Sequence, residues 1–497
     1  MLLLISLCGI MCIFYVYDLL DNGGFIIMML ASIYFSISAS IINEQINKKG
    51  IIEFFHPVIF LIFYWGIPFC LQPALIAFDL VLPELILMRS GGDQRYVPYL
   101  QIQAILALIF LYWGFNCRLQ LKKRHLYTHN HATSKQKENK WDKRMGIIAV
   151  LFSLLLDTIY EYYTNITGRS IIGSEGESLP SMIYYFLKIF GHVSYGQFMT
   201  MGGSLALIVV LFSSSMDKVG IKFIVYAFMV VSITLGFLSY HKFRMLIPIV
   251  ILFYSYYYWS KKRIRLKQEV ILVFIIATIV ITFPILQTGK RFYYMTDYRP
   301  SLGDIKEDIL YIAKYIRPED YLYLLTRFES LDNATVICSQ TPSIIPYRYG
   351  QTYLAGFINF LGIFPRLAPE GAGTFSNRFA IEHSLIPPTD TKSGVTLTQI
   401  SEAYMNFGIY SIPFVMFVYG MFYKKIYFYM VNARSDNAKF ISLYLWYIWV
   451  FMHPGFVFES TIISFIKDGY GVAMFLIILN IPNLAFRPHT REDLRTT

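Results

Sequence analysis

The chain has few charged side chains for its length. Asp, Glu, Lys and Arg make up 15% of its 497 residues, whereas hydrophobic residues make up 56% and the mean hydropathy is +0.49. A water-soluble domain needs a larger charged fraction to cover its surface. The composition therefore excludes a conventional soluble protein and predicts an integral membrane protein.

Cysteine is also scarce, and its five copies show no paired spacing. Four lie in or beside apolar stretches and Cys338 stands alone in a polar region, so neither a disulfide framework nor a zinc site is predicted. The sequence also lacks an Asp-x-Asp motif, a Walker loop, a Gly-x-Ser-x-Gly elbow and a His-Glu-x-x-His helix. Neither a metal nor a cofactor is therefore expected.

Long apolar stretches dominate what is present. Every backbone amide must be hydrogen-bonded internally inside a membrane, so a span takes about 20 mostly apolar residues in a helix. The sequence predicts an all-α polytopic fold with about twelve such spans. They cover residues 1–17, 24–42, 51–72, 98–117, 145–163, 193–213, 222–240, 245–260, 269–286, 405–424, 439–458 and 462–481.

Basic side chains concentrate in the short loops between these spans. The loop 118–144 is rich in Lys and Arg against only Glu138 and Asp142, and 261–267 holds a second basic run. The positive-inside rule puts both loops and both termini in the cytoplasm. Orientation thus accounts for the net charge of +11. Nucleic acid is not an expected partner, and the loops would contact membrane lipid headgroups.

One polar stretch divides the chain into three regions. Residues 1–286 hold the first nine predicted spans, and 287–404 form a large loop on the outer face, rich in Gly, Pro and Arg. Residues 405–497 hold the last three spans and a cytoplasmic tail. A large water-facing loop on a membrane bundle is where a reaction centre is expected.

Cationic side chains on the outer face run against the positive-inside bias. Arg244 ends a tight outer turn, Lys290 and Arg291 follow the ninth span, and Arg348 and Arg366 lie in the large loop. Guanidinium groups can bind phosphate oxygens through two parallel hydrogen bonds, so these side chains would suit a diphosphate. The structural alternative for the turn at Arg244 is snorkelling to the headgroup layer.

Two residues are candidate general bases. Glu402 lies where the loop becomes a membrane helix, and partial loss of water there would raise the pKa of its carboxyl group. The same position also favours Glu as a partner of the helix dipole, and this alternative stays open. His383 is the rival base, although a loop His can simply be solvated.

Several ionisable residues lie inside predicted spans, where exposure to lipid would be costly. They are Glu53, His56, Asp157, Lys188, His192, His453 and Glu459. We expect them to turn inward, to pair, or to lie near a span end.

A set of residues on the outer face forms a recognisable pattern. Arg244 stands at a short turn, Pro365-Arg366 is followed by Pro and Gly, and the loop closes on the sequence Ser401-Glu402-Ala403-Tyr404-Met405-Asn406-Phe407-Gly408. Loosely in topology, and more specifically over residues 350–420, the chain resembles the Wzy-type O-antigen and oligosaccharide repeat-unit polymerases. The closing motif adds Tyr404 and Asn406 to the candidate substrate-binding residues.

The resemblance implies a metal-independent GT-C-type glycosyltransferase in the bacterial inner membrane. Its donor would be a glycan on undecaprenyl pyrophosphate, moved as a whole onto a hydroxyl group of a new lipid-linked repeat unit. Arg244, Arg291 and Arg366 would stabilise the departing pyrophosphate, and Glu402 or His383 would deprotonate the acceptor. A flippase and a chain-length regulator would be partner proteins.

The chain also departs from the family pattern, and two alternatives stay open. Paired Arg-x10-Gly motifs are missing, because Leu302 stands eleven residues after Arg291 and Asn377 eleven after Arg366. The related O-antigen ligases use a loop His, which keeps a ligase role for His383 open. A flippase of lipid-linked oligosaccharide is the other alternative, although the long outer loop argues against it.

Overall fold

The structure is a computed structural model that describes ten ranges of the chain. They are residues 21–49, 55–78, 93–117, 144–152, 204–212, 242–259, 330–355, 375–384, 397–455 and 458–485. Regular secondary structure within these ranges is helical, without strands. The principal helices are α1 Asn22–Lys49, α2 Pro57–Ala77, α3 Val97–Asn116, α4 Ser204–Leu211, α5 Lys242–Trp259, α6 Ser330–Gln340, α7 Phe375–Glu382, α8 Gln399–Phe407, α9 Ser411–Val431, α10 Asp436–Trp446 and α11 Phe458–Ala485.

Four helices in the described ranges are long and apolar enough to cross a membrane. They are Asn22–Asn47 in α1, Pro57–Ala77, Gln94–Asn116 including α3, and Phe458–Asn480 in α11. These helices coincide with predicted spans, so the prediction of a helical membrane protein is confirmed. The predicted spans 1–17, 222–240 and 269–286 lie outside the described residues.

The chain divides into two compact units. The first comprises residues 1–131, 280–428 and 445–463, and the second comprises 132–279, 429–444 and 464–497. In the second unit, the side-chain amides of Asn437 and Asn480 hydrogen-bond each other at 3.2 Å. All the contacts of the candidate site described below lie in the first unit.

Two glycines allow α3 and α9 to pack backbone against backbone. A Cβ atom added to Gly114 would lie 2.1 Å from the carbonyl oxygen of Phe417, and one added to Gly420 would lie 2.1 Å from that of Leu111. Small residues at such a crossing let membrane helices approach closely. This crossing fixes the position of α9, and therefore of the short helix α8 that precedes it.

Pro73 explains an irregular turn within α2. Pro73 has no N–H group to donate to the carbonyl of Phe69 four residues earlier, and Ile67–Leu71 form a π-helical turn there. The Nε2 atom of Gln101 in α3 donates to that Phe69 oxygen at 3.2 Å and to the Ile27 oxygen at 3.1 Å. One buried amide therefore ties α1, α2 and α3 together.

The C-terminal ends of α1 and α3 and the later part of α9 lie at the same level. The Tyr112 hydroxyl contacts Glu44, and the Lys424 ammonium donates to the Cys117 carbonyl at 2.8 Å. At the other end of α3, the ring of Tyr99 meets that of Tyr404 in α8, with 5.8 Å between centroids. Helix α8 thus lies at the end of α3 opposite to Lys424.

The predicted span 405–424 differs from what the structure contains. Helix α8 ends at Phe407, Gly408 follows with φ of 75°, and α9 then runs from Ser411 to Val431. Only glycine adopts this backbone conformation readily, so the helix breaks there. The polar stretch 287–404 also holds the helices α6 and α7.

Candidate functional site

Helix α8 is polar yet buried along almost its whole length. The Thr398 Oγ1 atom accepts a hydrogen bond from the Ser401 N–H at 3.1 Å and caps its N-terminus. Every residue from Gln399 to Asn406 is buried. A short helix with this much interior polarity requires specific partners, since unsatisfied buried polar groups are costly.

Residues 348–350, just before the short helical stretch 351–355, supply hydrogen-bond donors to the C-terminal end of α8. The backbone N–H groups of Arg348 and Tyr349 donate to the carbonyls of Met405 and Asn406 at 3.1 and 2.9 Å. The Gly350 N–H donates to the Asn406 Oδ1 atom at 2.9 Å. These bonds satisfy carbonyls that a helix end leaves free and hold Arg348 beside α8.

Glu402 is fully buried, and both of its carboxyl oxygens accept hydrogen bonds. The Thr352 hydroxyl donates to Oε1 at 2.6 Å, and the backbone N–H of Phe458 donates to Oε2 at 2.9 Å. Burial raises the pKa of the carboxyl group to about 7, with a smaller contribution from Glu459, while the two donors act in the opposite direction. Near neutral pH, Glu402 therefore divides between its acid and its carboxylate forms.

Asn406 completes the surroundings of this carboxyl group. Its Nδ2 atom donates to the Thr352 hydroxyl oxygen at 2.7 Å and to the Glu402 carbonyl at 2.8 Å. The Thr352 hydroxyl can donate only one proton, so the Asn406 amide fixes its direction toward Glu402. Asn406 thus orients the donor of the carboxyl group, a positioning role that the sequence alone does not indicate.

Tyr353 adds a second hydroxyl group near Glu402. This hydroxyl is buried and has no hydrogen-bond partner among the described residues. Burial, followed by the charge of Glu402, raises the pKa of Tyr353 well above its ordinary value. It therefore stays protonated and remains available as a donor.

Arg348 and His383 lie beside this network of hydrogen bonds around Glu402. The Arg348 guanidinium forms an ion pair with Glu382, and its side chain is 20% exposed. The Nδ1 atom of His383 lies 2.6 Å from Gln340 Oε1, and its ring packs on Phe379 at 3.9 Å between centroids. Burial first and the Arg348 charge second lower the pKa of His383 to about 4, so it is neutral at neutral pH.

Tyr404 joins the site to α3. Its hydroxyl donates to the Thr341 carbonyl at 3.1 Å, and its ring meets the rings of Tyr99 and Tyr347 edge to face. These contacts attach the turn after α6 to the end of α3. Tyr404 therefore holds the layer in place, whatever its role in binding.

The sequence predicted nine candidate residues. The structure places five of them together around α8, in a group of side chains that we call the layer. They are Arg348, His383, Glu402, Tyr404 and Asn406. Arg244 lies in the first turn of α5 in the second unit, and its side chain is not described. Lys290, Arg291 and Arg366 lie outside the described residues.

Three partners in the layer escaped the sequence reading, namely Thr352, Tyr353 and Gln340. Each is a common residue whose role comes from a contact with a distant part of the chain, so no local motif marks it. Thr352 follows Tyr349 and Gly350, but the positive φ angles of these two residues are visible only in the structure.

Known proteins give no guide to the role of this site. Comparison with protein-family models, with curated proteins and with solved structures finds no match. Among the described residues, no group of three or more His, Cys, Asp or Glu side chains is arranged to hold a metal ion.

Proposed function

We propose that this chain is a polysaccharide polymerase of the bacterial inner membrane. It would move a growing glycan from undecaprenyl pyrophosphate onto a new lipid-linked repeat unit at the periplasmic face. One observation carries the proposal. A buried carboxyl group with a pKa near 7, Glu402, lies in the same layer as the Arg348 guanidinium, inside the sequence motif that resembles the polymerases.

The reaction would be a single displacement at the anomeric carbon. The acceptor hydroxyl group gives its proton to Glu402 while its oxygen bonds to that carbon. The bond from the carbon to the phosphate oxygen breaks, and its electron pair stays on the lipid diphosphate. A base with a pKa near the working pH is well matched to this proton transfer, and we expect inversion at the anomeric carbon.

The acceptor would enter by replacing a hydroxyl group of the protein. Glu402 is closed to solvent, and its Oε1 atom accepts from Thr352 at 2.6 Å. An acceptor sugar hydroxyl offers the same kind of donor. Displacement of the 347–355 segment from α8 would expose Glu402 and let the acceptor take the position of Thr352.

Cationic groups would bind the diphosphate. Arg348 is the described candidate, and its partner Glu382 is 43% exposed, so this pair can open at low cost. Lys290, Arg291 and Arg366 would add cationic groups from outer-face positions predicted by the sequence, and Arg244 stays a separate candidate from the sequence. In this proposal the twelve spans, the GT-C-like arrangement and the cytoplasmic termini follow the topology read from the sequence.

One observation favours a ligase as the second candidate. The Nε2 atom of His383 is buried and has no hydrogen-bond partner among the described residues, while Nδ1 is held by Gln340. A neutral imidazole with one free nitrogen can accept a proton from an acceptor hydroxyl. A ligase would use this His and transfer finished polymer to a different lipid acceptor.

Surface polysaccharide profiles distinguish these functions. Glu402→Gln keeps the shape of the side chain but cannot accept the proton, so we expect loss of long chains with single-repeat caps retained. Glu44→Gln, which changes an acid at the opposite end of α3, is the control and should keep long chains. A flippase variant would lose both products, and a ligase variant would accumulate polymer on the lipid carrier.

A further inference from the structure

Large apolar side chains surround the candidate site on its exposed side. Tyr349, Leu354, Phe407, Tyr410 and Phe414 are 73%, 57%, 44%, 91% and 72% exposed, respectively. We call these five residues the apolar rim. Phe407, Tyr410 and Phe414 lie on the two sides of the break between α8 and α9. Tyr349 and Leu354 belong to the polar stretch 287–404, which the sequence predicts to lie in water.

Backbone contacts keep the two parts of the rim together. The Tyr349 N–H donates to the Asn406 carbonyl at 2.9 Å, and a Cβ atom on Gly350 would lie 3.2 Å from the Phe407 ring. The Ser411 hydroxyl at the start of α9 donates to the Ala403 carbonyl in α8 at 2.8 Å. Residues 349–354, the end of α8 and the first turn of α9 are therefore held next to one another.

The backbone at Tyr349 is strained in a way that displays its ring. Its φ is 48°, a left-handed conformation that residues other than glycine seldom adopt. Strain of this kind persists only where surrounding bonds enforce it, and here the bond to Asn406 does so. The result is an aromatic side chain directed outward from the layer rather than packed within it.

The rim is too large for a surface that faces only water. Aromatic side chains present about 150–250 Å² each, and soluble proteins seldom expose contiguous apolar patches above a few hundred Å². The rim continues directly onto α9, where Val418 is also exposed, 43%. Aromatic side chains concentrate where membrane helices meet the headgroups.

We propose that the apolar rim is immersed in the boundary between headgroups and hydrocarbon of one membrane leaflet. The 347–355 segment would then rest on the bilayer, with Arg348 at the level of the lipid phosphates. This partner is the phospholipid leaflet itself, and the inference does not depend on the proposed enzymatic reaction. It sets the depth at which any ligand of Glu402 would be met.

Spin labels on single cysteines measure this depth in lipid nanodiscs that contain one chain each. Labels at Leu354 and Tyr410 test the rim. Phe35, 56% exposed in the middle of the candidate span Asn22–Asn47, gives the lipid reference, and Arg95, whose side chain is 87% exposed, gives the water reference. Oxygen concentrates in lipid, and a nickel chelate stays in water. We expect both rim labels to collide with oxygen severalfold more than the Arg95 label and with nickel severalfold less.

Other outcomes would overturn the inference. Rim labels that match Arg95 in both collisions would place the rim in water, and protection from nickel that appears only with added oligosaccharide would assign it to glycan binding. Protection that needs two chains in one disc would assign it to a second copy. If a label disturbs folding, Tyr349→Trp gives an independent readout: its fluorescence in excess of the six native Trp residues should be quenched by brominated lipids, and an excess that is not quenched also contradicts the proposal.

Discussion

The Thr352 hydroxyl group donates a hydrogen bond of 2.6 Å to the Glu402 carboxyl group, joining residues 50 positions apart in the chain. The same hydroxyl oxygen accepts from the Asn406 amide at 2.7 Å. A carboxyl group held by a donor that is itself oriented is the arrangement expected of a positioned base. The same hydrogen bond also holds residues 347–355 against α8. A role in catalysis and a role in stability can be distinguished by substitution.

Thr352→Val removes the hydroxyl group and keeps the shape of the side chain. Because this hydroxyl lowers the pKa of Glu402, its loss should shift the acidic limb of the pH–activity profile to higher pH. The buried carboxyl group also loses a partner, which should cost about 1–3 kcal/mol of unfolding free energy. Polymer formation against pH and thermal unfolding in detergent measure the two effects.

Thr335→Val is the matched control for this substitution. Thr335 is also buried, but its hydroxyl bonds to the Asp332 carbonyl within α6 at 2.7 Å. The control should lose stability without moving the pH profile. An equal shift in both variants would mean that the profile does not report on Glu402.

Glu402→Gln should change how stability depends on pH. Below pH of about 4.5 the carboxyl group is protonated whether the chain is folded or unfolded, so it imposes no penalty there. Between pH of about 4.5 and 7 the unfolded chain ionises this carboxyl group while the folded chain keeps its proton, and by pH 7 this difference costs about 3 kcal/mol of unfolding free energy. Wild-type protein should therefore lose stability from pH 5 to 8.

The Gln variant lacks this titration, so its melting temperature should vary less across the same range. Differential scanning fluorimetry in detergent at several pH values gives both curves. Parallel curves for the two proteins would show that Glu402 titrates normally and would remove the argument from its pKa.

Gly114→Ala should separate α3 from α9. The added Cβ atom would lie 2.1 Å from the Phe417 carbonyl oxygen, which belongs to backbone and cannot rotate away. Overpacking of this kind costs about 1–3 kcal/mol or more. Size-exclusion chromatography of a fluorescent fusion after heating would show a lower melting temperature.

Gly66→Ala is the control for the crossing. The nearest side-chain atom to its added Cβ atom is Tyr34 Cε1 at 3.9 Å, an ordinary contact. It should unfold at or slightly above the wild-type temperature, because Ala favours a helix by about 1 kcal/mol over Gly. Equal effects of the two substitutions would contradict the close crossing.

Glu382→Gln should strengthen anion binding at Arg348, because the Glu382 carboxylate no longer competes for the guanidinium. The two side chains form an ion pair whose members are 20% and 43% exposed, so its loss should change stability little. If Arg348 binds the diphosphate, the variant should bind pyrophosphate more tightly than wild type in isothermal titration. Arg348→Ala should abolish the difference, and unchanged affinity in Glu382→Gln would argue against this role of Arg348.

The sequence predicted four of the membrane helices because apolar length is a local property. Helices α1 to α3 coincide with predicted spans, and His56, His453 and Glu459 are buried as the cost of exposing them to lipid requires. The break at Gly408 was missed, since an apolar run continues across it and its positive φ is visible only in the structure.

The candidate site was predictable in part. The motif around Glu402 and Asn406 singled out residues that lie in α8, although the sequence did not predict this helix, and the raised pKa expected for Glu402 agrees with its burial. Thr352 and the pair of Arg348 with Glu382 depend on contacts across tens of residues, which no local pattern encodes. The depressed pKa of His383 likewise follows from packing on Phe379 and from nearby Arg348.

The pH dependence of glycan transfer tests the central claim most directly, because the two candidate bases titrate far apart. In an assay with purified protein and synthetic lipid-linked repeat units, the account predicts an acidic limb with a midpoint near 7, the pKa of Glu402. Glu402→Gln should abolish transfer, and His383→Gln should keep the midpoint. A midpoint near 4, the pKa of His383, or polymer made by Glu402→Gln would contradict the account.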